Sequence, residues 1–288
     1  MPELPEVETI KVGLTSLVVG HTIKELVVLE KKTVQISEED INRFILGQSI
    51  NSVTRRAKVL IWGLDNGYSI LFHLKMTGQV IVTYGDSRFS GGHPTQSMLS
   101  ELPDASTRAF FGLSNGYLVY FNDQRKFGWI KLLRTNQTGS EKLLSRVGPE
   151  PLGPDFIFEE FWKKIKNRKT SIKAVLLDQT TVAGIGNIYA DETLHLAKVN
   201  PQKQANKLKK SEALRIFNGI KETLSLGIKY GGTTITNYRN STGGTGKYQE
   251  HSRVFRREGQ KCPVCGDIIL KTKVAGRGTH YCPTCQKK

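Results

Sequence analysis

All four cysteines of this 288-residue chain fall within its last 27 residues, at the spacing Cys262-x2-Cys265-x16-Cys282-x2-Cys285. No other feature limits the fold as strongly. Two CxxC knuckles at that separation place four thiolates tetrahedrally around one zinc ion and leave no open coordination position, so the site is structural. Such a metal holds a β-hairpin too small to fold unaided. Redox-active CxxC pairs are the alternative; a proline in each knuckle (Pro263, Pro283) and the basic surroundings favour zinc. Clustered thiols also argue against a disulfide framework. The N-terminus lacks a basic region followed by an apolar stretch, so a cytoplasmic, reducing setting is expected.

Charge narrows the partner. From Lys247 to Lys288 there are ten Lys/Arg against three Asp/Glu, a balance of +7. The whole chain carries 42 against 26, a net +16. Solubility does not require that excess, whereas a polyanion explains it, because basic surfaces gain free energy by releasing counterions from phosphates. An anionic membrane is the competing explanation. No basic amphipathic helix supports it, and no apolar run approaches the roughly 18 residues of a membrane span.

The hydrophobic period changes along the chain. TIKVGLTSL has helical spacing, with Pro5 acceptable in a first turn. From about residue 23 to 134 the texture is that of strands. VLIWGL and YSILFHL join at Asn66-Gly67, and FFGL and YLVYF at Asn115-Gly116, as two hairpins. Residues 85–106 are polar and rich in Gly, Ser and Pro, which predicts a long surface loop. VGPEPLGP (147–154) marks the best domain boundary, beyond which FIFEEFWKKIKN, TSIKAVLLDQ, NIYADETLHLAK and KSEALRIFNGIKETLSLGIKYG have helical period. The expected organisation is an α+β protein with two domains: a β-rich domain over 1–135, a linker over 136–154, helices over 155–240 and a zinc module over 241–288.

Three stretches suit a nucleic-acid partner. In KAVLLDQTTVAGIGNIYADE a helix ends near Gln179, glycines reverse the chain, and a second helix starts near Asn187. This is the helix-turn-helix type that holds DNA backbone, with Asn187 placed as an N-cap that could meet a phosphate. An ordinary helical hairpin would look the same. Met76 and Phe127 are apolar side chains that could enter a base stack, and Arg125 could face an orphaned base. Strand-end residues of these types more often belong to a core. Lys58 and His73 are possible phosphate ligands, and Arg277 lies between two glycines at the expected tip of the cysteine hairpin. At the N-terminus, MPELPEVE offers Glu6 and Glu8 to the dipole of a helix first turn, and Glu8 is expected to do only that.

Taken together, PELPEVE, RRAKVL, HLKMTG, Asp-x-Arg-Lys-Phe-Gly, LLDQTTVAGIGNIYADE and CPVCG…RGTHYCPTC, in order from residue 2 to 285, resemble the formamidopyrimidine-DNA glycosylases of the Fpg/Nei family. The resemblance implies an N-terminal β-sandwich carrying the first helix, then a helix-two-turn-helix half with a zinc-finger hairpin. It implies a monomeric bifunctional DNA glycosylase/AP lyase of base-excision repair. Such an enzyme excises 8-oxoguanine and formamidopyrimidines from damaged double-stranded DNA and cleaves the strand by β,δ-elimination. Removal of Met1 would leave Pro2 as the nucleophile, with Glu3 as acid/base and Glu6 as a supporting carboxylate. Lys58, Asn187 and Arg277 match phosphate-gripping residues; Met76, Arg125 and Phe127 match the trio that fills the vacated stack. His73 and Tyr238 join the implied DNA contacts, and Cys262, Cys265, Cys282 and Cys285 the implied ligands of one zinc ion. A relative preferring oxidised pyrimidines and a non-catalytic binder of damaged DNA are the alternatives. The chain departs from the family pattern at residues 85–106, at Thr107-Arg108-Ala109 in place of a His-x-His element, and at Thr233–Thr236, which lacks an arginine.

Overall fold

A computed structural model of the chain describes residues 1–233 and 246–287. The chain divides into two compact units, Met1–Ser145 with Gly231–Lys247, and Arg146–Tyr230 with Tyr248–Lys288. The first unit opens with α1 (Leu4–Val18). Glu3 is its N-cap and Pro5 lies in its first turn, where a missing N–H costs nothing. Leu4, Val7, Ile10, Leu14 and Val18 recur three and four apart and are all buried.

Two five-stranded sheets follow. One has the order β1 (Ile23–Val28), β8 (Thr107–Leu113), β9 (Leu118–Asp123), β6 (Gly78–Tyr84), β7 (Ser87–Gly92). The other runs β2 (Val34–Gln35), β10 (Trp129–Arg134), β5 (Tyr68–His73), β4 (Val59–Leu64), β3 (Ile50–Arg56), with α2 (Glu38–Phe44) inserted between β2 and β3. Their facing side chains share one core with α1. Trp62 of β4 lies 5.3 Å from Phe111 of β8, and Phe72 of β5 lies 5.8 Å from Phe111. Both expected hairpins form. Gly67 (φ +80°) and Gly116 (φ +83°) supply the left-handed residue that closes each. The preceding asparagines accept the N–H two residues on, at 3.2 and 3.1 Å.

Residues 85–106 are not simply a loop. Ser87–Gly92 pairs antiparallel with β6 as the edge strand β7, from Tyr84↔Ser87 to Gln79↔Gly92. SRFSGG lacks apolar alternation, yet its glycines have a packing role: a Cβ on Gly91 would stand 2.5 Å from Cγ1 of Ile10 in α1. The expected linker also begins later. Glu141 accepts Lys131 Nζ at 2.7 Å and the Leu143 N–H at 2.6 Å, and Leu144 packs with Val59, Leu71 and Trp129. Residues up to Ser145 therefore belong to the first unit.

The second unit holds α3 (Phe158–Ile165), α4 (Ile172–Leu177), α5 (Asn187–Leu196), α6 (Lys210–Lys229) and the hairpin β11 (Leu270–Val274)–β12 (Arg277–Tyr281). Ser171 caps α4, its Oγ accepting the Ala174 N–H at 3.3 Å. The cysteine module, expected as a separate piece, clusters with these helices, while Gly231–Lys247 clusters with the β unit. Among the described residues no helix is long and apolar enough to cross a membrane.

Candidate functional site

Three candidate residues stand at the start of α1. Pro2 is buried and its nitrogen is in peptide linkage to Met1, which is 42% exposed. Glu3 and Glu6 are both buried. One oxygen of Glu6 accepts the Glu3 N–H at 2.9 Å; the other accepts the Thr233 N–H at 2.8 Å and its hydroxyl at 3.1 Å. Gly232 (φ +75°) makes the approach possible, since a Cβ there would lie 2.6 Å from Glu6 Oε1. Glu6 thus ties the beginning of the chain to residue 233 and fixes the backbone that carries Pro2 and Glu3.

Lys58 is buried and follows the β3–β4 turn, where Ala57 takes φ +52°. That turn is held by Arg55, whose Nη1 donates to the Ala57 carbonyl at 2.8 Å and whose Nε donates to Glu8 at 2.9 Å. Burial pushes the Glu8 carboxyl up, but hydrogen bonds from Lys11 and Arg55 outweigh it and hold it below its ordinary value. Glu8, expected only as a first-turn acid, anchors the turn beside Lys58. His73 is buried, and burial, reinforced by Lys75 and Lys58, lowers its pKa to about 3. Its Nδ1 accepts the Lys75 N–H at 2.9 Å, so the neutral ring carries its proton on Nε2. It can donate a hydrogen bond to a phosphate but brings no charge.

Met76 is half-buried in the turn after β5; Arg125 and Phe127 are exposed in the turn after β9. The Arg125 guanidinium lies over the Phe127 ring, 4.7 Å from its centroid. The two turns meet where Thr77 Oγ1 accepts the Arg125 N–H at 3.0 Å.

In the second unit, the Gln179 side chain closes the glycine turn between α4 and α5. It donates to the Ile185 carbonyl at 2.7 Å and accepts the Gly184 N–H at 2.9 Å. Asn187 is the first residue of α5 and Gly186 is the N-cap, one residue earlier than expected. The Asn187 side chain is therefore released from capping, and Nδ2 donates to the Gly278 carbonyl at 3.0 Å. The same carbonyl accepts Lys173 Nζ at 3.1 Å. Lys173 is fully buried, 2.6 Å from Asp191 and 2.8 Å from Thr279 Oγ1; Asp191 also accepts the His280 N–H at 2.9 Å. This ion pair holds the hairpin tip that presents exposed Arg277 next to Asn187. Fully buried Glu192 accepts the N–H groups of Arg253, Val254 and Phe255 at 2.8, 3.0 and 2.8 Å, fixing the chain that leads into the hairpin. Lys173, Asp191 and Glu192 are not recognisable as supports from sequence alone, because buried and solvated charges read alike.

The four cysteine sulfurs lie within 4.8 Å of one another. Cys262–Cys285 and Cys265–Cys282 are 3.9 and 3.4 Å apart, close to the edge of about 3.8 Å that a tetrahedron with metal–sulfur bonds near 2.3 Å requires. The N–H groups of Val264 and Cys285 point at Cys262 and Cys282 sulfurs at 3.5 and 3.4 Å, and His195 Nε2 lies 3.4 Å from Cys262 Sγ. Those contacts suit thiolates bound to one metal ion. Tyr238 and Thr234–Thr236 lie outside the described residues.

A β unit whose first helix carries clamped acids behind a proline, with a unit of two helices about a glycine turn and a four-cysteine hairpin, defines a DNA-repair glycosylase of the helix-two-turn-helix class. Family profiles agree: the formamidopyrimidine-DNA glycosylase N-terminal domain matches residues 1–130, its H2TH domain 147–239, and the zinc finger found in FPG and IleRS 259–288. The chain belongs to the formamidopyrimidine-DNA glycosylase family. The enzyme so named from Pelotomaculum thermopropionicum is 40% identical over 288 residues, covering 100% of this chain and 99% of its own length. That from Streptococcus mutans is 41% identical, with both chains covered completely. Lactococcus lactis Fpg in complex with an abasic site containing DNA is 36% identical with a TM-score of 0.88, over 99% of this chain and 100% of that one. Its wild-type complex with a N7-Benzyl-Fapy-dG containing DNA has the same identity and TM-score, over the whole of both chains.

Proposed function

We propose that this chain is a bifunctional DNA glycosylase/AP lyase that removes oxidised purines, 8-oxoguanine and formamidopyrimidines, from duplex DNA and then nicks the strand. The names of its relatives and the DNA bound in the Lactococcus complexes support that substrate class. The observation that carries the reading is the Glu6 clamp: its carboxylate completes the α1 capping box at the Glu3 N–H and, beyond what a helix cap requires, also accepts the Thr233 N–H, fastening the backbone that carries Pro2 and Glu3 to a second segment.

Removal of Met1 converts the Pro2 nitrogen from an amide into a secondary amine. An α-amino group has a reference pKa of about 7.7–8.0, so a neutral, nucleophilic fraction exists near neutral pH. The amine attacks the sugar C1′, and the glycosidic bond breaks with its electron pair leaving on the base, which takes up a proton. Glu3 protonates the ring oxygen as the sugar opens, leaving a cationic iminium between Pro2 and C1′. That cation acidifies the C2′ proton; its loss expels the 3′ phosphate, and a second elimination expels the 5′ phosphate. Water then hydrolyses the iminium and returns free Pro2. Lys58, Asn187 and Arg277 grip phosphates, neutral His73 donates one hydrogen bond, and Tyr238 adds a DNA contact. Met76, Arg125 and Phe127 fill the space left by the flipped base, and the protein acts as a monomer. The four cysteines hold one Zn2+, which cross-links the hairpin and supplies no chemistry to the sugar.

Borohydride trapping on a duplex with 8-oxoguanine opposite cytosine tests the reading. A covalent protein–DNA adduct is expected from protein lacking Met1. No adduct would leave only a damage-binding protein, and an adduct confined to oxidised-pyrimidine duplexes would overturn the substrate class.

A further inference from the structure

Asp123 closes β9 and is completely buried. One of its oxygens accepts the Thr77 hydroxyl in a very short contact and the Arg125 N–H at 3.2 Å; the other accepts the Gly128 N–H at 2.6 Å. A single carboxylate thus closes the turn that carries Arg125 and Phe127 and fastens it to the turn that carries Met76. Neither turn has slack. A Cβ on Gly78 would fall 2.3 Å from the Leu74 carbonyl oxygen, and one on Gly128 would fall 2.9 Å from Phe121.

Asp123 is itself held from the segment whose sequence departs from the family pattern. Its N–H donates to the Ser106 carbonyl at 2.8 Å, and its carbonyl accepts Arg108 Nε at 2.8 Å. Arg108, buried, also donates to the Ala105 carbonyl at 2.9 Å, while its own carbonyl accepts the Leu29 and Glu30 N–H groups at 2.9 and 3.0 Å. Glu30 in turn pairs at 2.7 Å with Lys126, inside the wedge turn, where φ is +56°. Residues 105–108 therefore grip the wedge turn from the buried side through Asp123 and from the exposed side through Glu30.

We propose that Asp123, with Thr77 and Arg108, is a positioning assembly that sets Met76, Arg125 and Phe127 as one rigid probe, and that recognition of the base opposite the lesion depends on it. This rests on the role given to that trio in the proposed function. An arginine reads a base edge only from a fixed place, and a side chain ordered beforehand gives up less freedom when it enters the stack. The sugar chemistry at Pro2 does not pass through this assembly.

The test uses full-length protein and a duplex containing a tetrahydrofuran abasic analogue opposite cytosine or adenine, so no turnover is needed. Thr77→Val keeps the shape but removes the hydroxyl, and Thr77→Ser keeps the hydroxyl. Wild-type protein and Thr77→Ser should bind the cytosine duplex preferentially, and Thr77→Val should lower that preference about tenfold, the size of one lost base contact. Asp123→Asn should do the same where it folds. Covalent trapping of Thr77→Val on a natural abasic site should stay within about twofold of wild type, since a tenfold loss would already signal damage to the chemical step. The proposal is overturned if Thr77→Val keeps the wild-type preference, if wild type shows none, or if binding and trapping fall together. Loss of trapping in wild type with the binding preference intact would instead overturn the proposed function alone.

Discussion

Glu6 in the first unit and Asp191 in the second are both buried carboxylates that hold backbone beside a candidate site residue, and the donors described around them differ in kind. Glu6 takes neutral donors, the N–H groups of Glu3 and Thr233 and the Thr233 hydroxyl. Asp191 takes a fully buried ammonium from Lys173 together with the His280 N–H. Each of the Glu6 donors is neutral and brings no charge of its own. A buried pair is held by mutual need: each ion has lost its water, and removing one strands the other. The Pro2 end should therefore tolerate damage in small steps, whereas the Arg277 hairpin should be held fully or not at all.

The largest expected effect is metal removal. Among the described residues the cysteine module has a small apolar cluster of its own, Val254, Cys262, Ile269 and Cys282, with Cys285 against it. Structural zinc in small modules contributes about 10–16 kcal/mol of apparent binding free energy, which is folding free energy there. Chelation should unfold β11 and β12, release Arg277 and abolish duplex binding, while the β unit keeps its strand signature in circular dichroism. Unchanged affinity after verified metal loss would contradict the finger's role and remove the contrast between the units.

That module was the most legible part of the sequence, because four identical ligands at fixed spacing leave few alternatives. The two Asn-Gly hairpins and α1 were legible for the same reason: each rests on a local rule. β7 was not, because SRFSGG pairs through its backbone and packs by lacking side chains, and neither leaves an apolar period. Asn187 lies one position inside the N-cap, where the spacing predicts the cap itself, within the usual spread of helix ends, and the shift matters because it frees the side chain for Gly278. Asp123, Lys173 and Asp191 stayed hidden because a charged residue reads as solvated until its partner is known, and the partners lie 46, 106 and 89 residues away in Thr77, Thr279 and His280. Pro2, Glu3, Glu6 and the DNA-contact set came from resemblance to the family; their residue types alone fit an ordinary helix start and a core.

Next in size is Lys173→Met. Breaking a buried pair by removing one partner costs about 3–5 kcal/mol, since Asp191 would be left without its cation. Urea unfolding should show that loss, and Lys173→Met with Asp191→Leu should recover most of it, because matched apolar replacements of a buried pair are often neutral. Stability that falls further in the double variant would mean that the remaining hydrogen bonds of Asp191, to His280, matter more than the charge. Either variant should weaken duplex binding through Arg277 and Asn187 while leaving the Pro2 end intact.

Glu6→Gln is the smallest of the three and the one that isolates geometry from charge. The amide matches the carboxylate in shape but has one acceptor oxygen where two are needed. Its NH2 must face either the Glu3 N–H or the Thr233 N–H, donor against donor. Leaving one buried N–H unmatched costs about 1–3 kcal/mol, well below the loss expected from Lys173→Met. Because that mismatch falls beside Pro2, borohydride trapping should slow by more than the drop in stability accounts for. Duplex affinity, which the proposed function assigns to the hairpin and the phosphate ligands, should change little. A stability loss as large as that of Lys173→Met would show that Glu6 acts as a buried charge after all, and the two carboxylates would then be alike in how they fail.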